Sequence, residues 1–429
     1  MIETSNKPHL WSIEKIQKSL SESRISLTDI FDSFIHLINS TENSIRAWET
    51  YKTVFLSAPE IKPLSGVLIG VKDNINTIDF PTRMGSNAVW PSSSGGFDAR
   101  VISKLRNNGC QIAGKTKTSE LAVHLPTDTK NPLYPDSIVG TSSSGSAAAV
   151  AAGHVSVTIG TQTAGSIARP ASFCGVIGFK PSFGDIPRTG VLKTTENFDQ
   201  VGFFGARVSD LIKIYNIAKV GGRDHPLHEL RREQSRKIDE LVVLDYSEFK
   251  SIDKTLLLNF NKLIEEIAKN YRLNLVYLPT YKLEKIRALH NSLYVNGLRT
   301  FLKNEINEIK ISDNLLKFLN SFPLIQQNEI TSYEKEIIQT SNDLSSCYPN
   351  AIYCALASQF SAPKIGSNEG LDYNFAWTSF GFSQIVLPLL KDSADKTVGL
   401  SLSVKQGSDS QLLSIAEELM PNSIYEYVE

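Results

Sequence analysis

Two short loops rich in glycine and serine hold the residues of this chain best suited to chemistry. Residues 140–146 read GTSSSGS and residues 160–166 read GTQTAGS, so that Ser142 and Ser166 lie 24 positions apart. Farther upstream, a run of apolar residues ends in Lys72. A serine hydroxyl is a weak nucleophile at neutral pH, and it needs both a base and donors for the developing oxyanion. Two serines and one lysine therefore predict an acyl-transfer site that does not use histidine.

Lys72 follows a predicted strand, residues 66–71, whose apolar and β-branched side chains suit burial on both faces. A lysine that loses its hydration favours the neutral form, so its pKa falls from about 10.4 towards neutrality and it can act as a general base. The same lysine could instead extend its stem to water or pair with Asp73. The residues alone leave both interpretations open.

Each serine also has a purely structural interpretation. Ser166 precedes a predicted helix, and its hydroxyl could simply cap that helix, although the unpaired N–H groups of a helix start can also hold an oxyanion. Ser142 could belong to a flexible linker, or it could bridge a lysine and a nucleophile because a hydroxyl both donates and accepts. The compact alanine-rich segment and the alternating strand that follow Ser142 argue against a linker.

Strand–helix–strand units around these loops favour an α/β layered fold. In the first half, strands are predicted at residues 66–71, 111–114 and 154–159, and helices at 12–39, 98–108, 146–153, from about 166, and at 209–219. In the second half, a surface connection is predicted around 221–240, a mostly helical segment at 254–345, strands at 241–244, 383–390 and 398–404, and a helix at 408–419. With no internal repeat or long linker, one domain with a helical elaboration is expected.

The composition excludes several classes of protein. The 429 residues are 41% hydrophobic, and 44 basic residues nearly balance 45 acidic ones, so no basic excess indicates a nucleic-acid partner. The chain has neither an apolar run long enough for a membrane span nor a secretory signal at its start. The cysteines are scattered without metal-ligand spacing, which predicts buried, reduced thiols in a cytoplasmic protein; they are Cys110, Cys174, Cys347 and Cys354.

Taken together, the motifs resemble those of the amidase signature family. The resemblance runs from Trp11 to about Gly205 and resumes weakly over residues 373–419. Its centre is the block of residues 140–183, which includes RPASFCG at 169–175 and GFKP at 178–181. Further matches in family order are GVKD at 70–73, DA at 98–99, GKT at 114–116 with Glu120, and NP at 131–132.

The resemblance implies a mixed central β-sheet covered by helices on both faces. The whole chain, residues 1–429, is then a single amidase domain. Its expected parts are N-terminal helices (1–60), the signature core (61–220), a variable helical layer or lid (221–370), and C-terminal strands and a helix that complete the core (371–429). The resemblance leaves a homodimer open.

For the site, the resemblance implies a triad in which Ser166 is the nucleophile, Ser142 is a bridging serine after a cis peptide bond, and Lys72 is the base. No metal or organic cofactor is needed by such a triad. The oxyanion hole would be formed by backbone N–H groups of Thr163, Ala164, Gly165 and Ser166.

This chain departs from the family pattern at several positions, which makes Thr141, Gln162 and Arg169 candidates for substrate binding. Thr141 and Ala164 stand where the two loops usually have glycine, and Gln162 replaces a common aspartate. The loss of that aspartate argues against the glutaminyl-tRNA amidotransferase subunit, whose usual loop keeps it. A frequent arginine is replaced by Ala168, and Arg169 follows it.

Arg169 lies one helical turn from Ser166, so its guanidinium could clamp a substrate carboxylate through two hydrogen bonds. It could equally pair with a structural carboxylate of the protein. The predicted function is hydrolysis of a small amide, with a carboxylate-bearing amide as one candidate substrate. The alternatives are acyl transfer to an amine by the same triad and a non-catalytic binding protein of the same fold.

Overall fold

The computed structural model describes residues 7–55, 60–86, 96–220, 237–305, 311–367, 369–370 and 372–426. Most of the surface connection predicted around 221–240 falls on residues 221–236, which lie outside the described residues. Among the described helices, none is both long and apolar enough to cross a membrane.

A sheet of eleven strands organises the described chain, in the order β1-β3-β2-β4-β6-β5-β10-β11-β9-β7-β8. β2 runs parallel to β3 and β4, whereas β10 runs antiparallel to β5 and β11, so the sheet is mixed. The strands are β1 (Trp48–Tyr51), β2 (Leu68–Lys72), β3 (Gln111–Thr116), β4 (Val157–Gln162), β5 (Ile177–Lys180), β6 (Gln200–Gly205), β7 (Glu240–Asp245), β8 (Asn274–Pro279), β9 (Ala351–Leu356), β10 (Ser383–Lys391) and β11 (Thr397–Val404).

Helices cover both faces of the sheet, which confirms the fold class. Several begin at side-chain caps that satisfy free backbone N–H groups, such as the capping box of Ser26 and Asp29. The helices are α1 (Ile13–Ser21), α2 (Leu27–Ile45), α3 (Arg100–Asn107), α4 (Ser144–Ala151), α5 (Ala168–Cys174), α6 (Val208–Ala218), α7 (Lys254–Tyr271), α8 (Tyr281–Glu305), α9 (Asp313–Asn320), α10 (Gln327–Cys347), α11 (Asn374–Ser379) and α12 (Asp409–Leu419).

The segment between residues 254 and 345 is mostly helical, as its pattern predicts, but it also contains the strand β8. This strand lies at the edge of the sheet and is only partly buried. Its six residues carry no strong period of two in sequence, and they stand between the long helical patterns of α7 and α8. The segment around this layer supplies β7, β8 and β9 to the same sheet as the rest of the chain.

Small residues bring the first serine loop close to the sheet. α4 is built almost entirely from glycine, serine and alanine, and residues 144–150 of it are buried. At Gly145, a Cβ atom would lie 2.2 Å from the carbonyl oxygen of Ala47 and 2.4 Å from the backbone nitrogen of Lys117. Only glycine therefore allows the start of α4 to pack directly against the backbone of Ala47 and Lys117.

All four cysteines are free thiols, but they are not all buried. Cys110, Cys174 and Cys354 lie in the core, as the sequence predicts. Cys347 is exposed at the end of α10, so the prediction of a buried thiol was wrong there. The reason is that only two residues of α10, Ile337 and Leu344, are buried, and Cys347 lies off that narrow stripe.

Candidate active site

The candidate site lies where two neighbouring strands end. β2 and β4 run parallel with Val71 opposite Ile159, so their carboxyl ends meet at one edge of the sheet. Lys72 is the last residue of β2, and Thr161 is the last but one of β4. Open α/β sheets commonly place ligands at the carboxyl ends of their strands.

Lys72 is completely buried and contacts the first serine loop directly. Its Nζ atom lies 2.7 Å from Ser142 Oγ and 2.9 Å from Thr161 Oγ1, and Asn74 Nδ2 donates to the same threonine hydroxyl at 3.0 Å. Lys72 therefore neither extends to water nor pairs with Asp73, which were the alternatives to a buried base. The carboxylate of Asp73 pairs instead with Lys115, at 3.2 Å.

The surroundings of Lys72 favour its neutral form. Burial lowers the pKa of Lys72 to about 7, and the negative charge of Asp199 opposes that shift. Near pH 7 the amine is therefore split between its charged and neutral forms, and the neutral form has a lone pair to accept a proton.

Ser142 lies in the first loop, where that loop contacts the second. The peptide bond between Thr141 and Ser142 is cis. The next residue, Ser143, donates from its hydroxyl to the carbonyl oxygen of Thr161 at 3.1 Å. A Cβ atom at Gly160 would lie 3.1 Å from the same hydroxyl, so the two glycine-serine loops are in direct contact.

Ser166 lies in the turn between β4 and α5 and is partly exposed. It does not cap α5, because that helix begins at Ala168 and its N-cap residue is Ile167. Among the described residues, none forms a hydrogen bond with the Ser166 hydroxyl, so Ser166 is not bonded to Ser142 in this structure. Its oxygen is accessible next to the loop that Lys72 and Ser142 support.

Gln162 takes the capping role that the sequence offered to Ser166. Its Oε1 accepts from the backbone N–H groups of Ile167, at 2.8 Å, and Ala168, at 2.9 Å. Its Nε2 donates to Thr378 Oγ1 at 2.9 Å and to Gln384 Oε1 at 3.0 Å. The amide is fully buried and all four of its hydrogen-bonding positions are used, so it positions the turn around Ser166 and has no polar atom left for a substrate.

Replacing Gln162 with glutamate should destabilise the protein. A carboxylate keeps the two acceptor bonds but cannot donate, and it would face Gln384 Oε1 as a second acceptor in the core. We expect the free energy of unfolding to fall by roughly 2–4 kcal/mol at pH 8, and by less at pH 5, because a protonated carboxyl regains one donor. Urea unfolding at both pH values measures this, with the exposed Gln327→Glu as control; equal stability of Gln162→Glu and the wild type at pH 8 would contradict the assigned bonds.

The backbone of the second loop presents donors beside Ser166. Within the described part of the chain, no acceptor takes the backbone N–H groups of Ala164, Gly165 or Ser166. The hydroxyl of Thr163 donates to Asp199 Oδ1 at 2.5 Å, which ties the start of the loop to a buried carboxylate. Unpaired N–H groups in a turn before a helix can hold an oxyanion.

Arg169 is buried between two carboxylates of the segment before α11. Its Nε donates to Asp372 Oδ2 at 2.8 Å and its Nη1 to Glu369 Oε2 at 2.5 Å. Of the two roles considered for Arg169, pairing with carboxylates of the protein is therefore the one that has partners in the fold. Thr141 belongs to the same group, since its Oγ1 donates to Glu369 Oε2 at 3.1 Å and lies 3.0 Å from Nδ1 of His124.

Several polar residues of this region were not found from the sequence. In a polar stretch just before β6, KTTENFDQ at residues 193–200, Asp199 carried no signal of its own. Its carboxylate accepts from the backbone N–H groups of Thr194 and Thr195 at 2.6 and 2.9 Å. His124 and Glu369 lie in loops with no periodic pattern, and nothing in their neighbourhood marked them.

The structure thus brings Lys72 and Ser142 together with Thr161, and it places Ser166 in the adjoining turn. Arg169, Thr141 and Glu369 form a second polar group beside that turn. In the part of the chain that is described, no cluster of three His, Cys, Asp or Glu side chains could hold a metal ion. The arrangement can supply a nucleophile, a base and donors for a negatively charged oxygen.

Comparison with known proteins shows which proteins this chain is similar to. The family model described as Amidase matches residues 26–359. A glutamyl-tRNA(Gln) amidotransferase subunit of Lactobacillus johnsonii is 33% identical over 248 residues, which is 56% of this chain and 50% of that protein. The corresponding protein of Methanothermobacter thermautotrophicus is 34% identical over 293 residues, 64% of this chain and 63% of that protein. The chain thus spans about half the length of the first curated relatives it matches.

Solved structures share the fold at low identity. The 6-aminohexanoate cyclic dimer hydrolase complexed with substrate superposes with a TM-score of 0.82 at 18% identity, covering 96% of both chains. The glutamyl-tRNA(Gln) amidotransferase subunit of Thermotoga maritima gives 0.79 at 21% identity, covering 97% of this chain and 95% of that one. At these identities the similarity shows the fold.

Proposed function

This chain belongs to the amidase signature family, and on that premise we propose that it hydrolyses the C–N bond of a small carboxylic amide. One observation carries the proposal: the buried Lys72 Nζ lies 2.7 Å from Ser142 Oγ, in surroundings that bring the pKa of the lysine to about 7. A lysine in that state is a base of suitable strength at neutral pH.

In the first step, neutral Lys72 takes the proton of the Ser142 hydroxyl, which takes the proton of Ser166. The Ser166 oxygen bonds to the amide carbonyl carbon, and the π electrons of the carbonyl move onto its oxygen. Backbone N–H groups of residues 163–166 stabilise that oxyanion, because they point at the charge without reorganising.

In the second step, the oxyanion collapses and the C–N bond breaks. The proton held by Lys72 returns through Ser142 to the leaving nitrogen, so that ammonia or an amine departs and the acyl group stays on Ser166. Water then attacks this ester with Lys72 again acting as the base. The carboxylic acid leaves and the serine is regenerated, with no net change in the protein's protons.

Transfer of the acyl group to an amine is the second candidate, and the amidotransferases among the curated relatives favour it. Both reactions use the same acyl-serine, so the products distinguish them. With a short neutral amide in buffer alone, we expect free acid and ammonia in equal amounts. With millimolar hydroxylamine added, hydroxamate should appear as a minor product beside the acid.

Product analysis by chromatography, with an ammonia assay, measures both outcomes. Formation of hydroxamate without any free acid in parallel reactions would overturn hydrolysis and favour transfer.

The cytoplasmic location, the homodimer and the division of the chain into four segments stay predictions.

A further inference from the structure

The charge of Arg169 is already compensated inside the protein. Its side chain is 8% exposed, and the two carboxylates that bind it, Glu369 and Asp372, are 7% and 6% exposed. The guanidinium lies against the second serine loop, since a Cβ atom at Gly165 would be 3.0 Å from Arg169 Nη2. Nη2 forms no hydrogen bond with the described residues and can still donate to a substrate oxygen, but the positive charge of the guanidinium is already balanced by two carboxylates.

His124 adds no positive charge to this group. Nη1 of Arg169 lies 2.9 Å from Nδ1 of His124, and a guanidinium can only donate. Nδ1 therefore accepts, and the proton of the neutral ring lies on Nε2, 3.4 Å from Glu369 Oε2. The His124 side chain is about half exposed, and partial loss of hydration, followed by the neighbouring Arg169 charge, lowers its pKa, in agreement with the neutral ring that the contact with Arg169 requires.

The balance of charge around the proposed nucleophile is therefore negative. One guanidinium faces two carboxylates, and Asp199 lies behind Thr163 as a third. Lys72 does not offset this excess when it is in the neutral form that the proposed reaction needs.

Glu369 is the carboxylate of this group that has an unused hydrogen-bond acceptor. Its Oε2 takes the contacts from Arg169 and Thr141, whereas its Oε1 has no hydrogen-bond partner among the described residues. Although the residue as a whole is more than nine-tenths buried, Oε1 is not among the buried atoms that lack a partner, so this oxygen keeps access to solvent and a ligand can reach it. Thr141, which contacts Glu369, directly precedes Ser142.

We propose that the acyl part of the substrate carries an ammonium group, which Glu369 binds, and that carboxylate-bearing amides are disfavoured. This inference rests on the proposed amide hydrolysis and names its substrate class. An ammonium group has three hydrogen-bond donors, which suit the free carboxylate oxygen, and a positive charge, which suits the excess of negative charge around it. The resulting preference reverses the one suggested by Arg169 in the sequence.

Three amides of nearly equal size test the proposal on the wild-type protein. β-Alaninamide carries an ammonium, butyramide has a methyl group in its place, and succinamate has a carboxylate. We expect kcat/KM to be about 10- to 100-fold higher for β-alaninamide than for butyramide, and lowest for succinamate, because a charge-assisted hydrogen bond contributes roughly that ratio. Succinamate equal to or better than β-alaninamide overturns the proposal.

The variant Glu369→Gln assigns the preference to this residue. The ratio of kcat/KM between β-alaninamide and butyramide should fall towards one in Glu369→Gln and stay at the wild-type value in the control Glu266→Gln, which removes an exposed carboxylate of α7. An unchanged ratio in Glu369→Gln overturns the role of Glu369. Hydrolysis of butyramide without a preference for the cation contradicts this inference alone, whereas no hydrolysis of any of the three amides contradicts the proposed function as well.

Discussion

Replacing Ser166 with alanine is expected to reduce amide hydrolysis by at least about 10³-fold while the protein stays folded. Alanine removes the only atom proposed to bond to the substrate carbon, and the other hydroxyl of that turn, on Thr163, is already bound to Asp199. The Ser166 side chain forms no hydrogen bond with the described residues and is partly exposed, so its loss should change the free energy of unfolding by less than about 1 kcal/mol.

Ser144→Ala is the matched control for this variant. Ser144 belongs to the same glycine-serine loop as Ser142, but its hydroxyl accepts from Thr127 at 2.8 Å and is outside the proposed relay. We expect activity within a few-fold of the wild type in Ser144→Ala. Initial rates and thermal unfolding of the three proteins separate loss of chemistry from loss of structure.

A fluorophosphonate probe gives the same variant a second readout. It should label the wild type and Ser144→Ala at one serine and leave Ser166→Ala unlabelled, which peptide mass spectrometry would locate. Near wild-type turnover in Ser166→Ala would refute the mechanism. A wild type that neither reacts with the probe nor hydrolyses any amide would favour a binding protein of the same fold.

The features that could be predicted are those that depend on neighbouring residues in the sequence or on the family resemblance. Lys72 follows a short apolar strand, which left a buried lysine and one that extends to water both open, and the structure buries it completely, at 0% exposure. The contact between Lys72 and the first serine loop was implied by the family resemblance and is present at 2.7 Å from Ser142. The sheet and its helices followed from the alternation of strands and helices together with that resemblance.

The partners of these residues could not be predicted, because they come from distant parts of the chain. Gln162 was expected beside the substrate, but Thr378 and Gln384, more than 200 positions away, turn it into a structural amide. Arg169 was likewise a candidate for substrate binding, but Glu369 and Asp372, also about 200 positions away, bind its guanidinium. A single sequence shows which groups can donate or accept, whereas the folded chain decides which of them meet.

Replacing Lys72 with methionine should have opposite effects on activity and stability. Without the base, we expect kcat/KM for a neutral amide to fall by about 10²–10⁴-fold. The stability should rise, because the folded wild type buries a cation and methionine fills a similar volume without charge. The two effects together identify a residue that is kept for chemistry at a cost to the fold.

The pH dependence follows from the direction of the pKa shift. Burial lowers the pKa of Lys72 to about 7 in the folded protein, below its value of about 10.4 in the unfolded chain. Below pH 7 both states bind the proton, so the full cost of the buried charge is present. As the pH rises from 7 to about 10.4, the folded amine is neutral while the unfolded one is still charged, and the cost disappears. The stability gain of Lys72→Met should therefore be largest below pH 7, on the order of a few kcal/mol, and vanish near pH 10.

The activity of the wild type should follow the same ionisation in the opposite sense. Log kcat/KM should rise with a slope of one below about pH 7 and level off above it, as Lys72 becomes neutral. Urea unfolding of Lys72→Met and of the exposed control Lys262→Met at pH 6 and pH 9, with pH–rate profiles of the wild type, measures both curves. If Lys72→Met is less stable than the wild type at pH 6, or if wild-type activity is flat between pH 5 and 8, then Lys72 is not a buried base that titrates near neutrality.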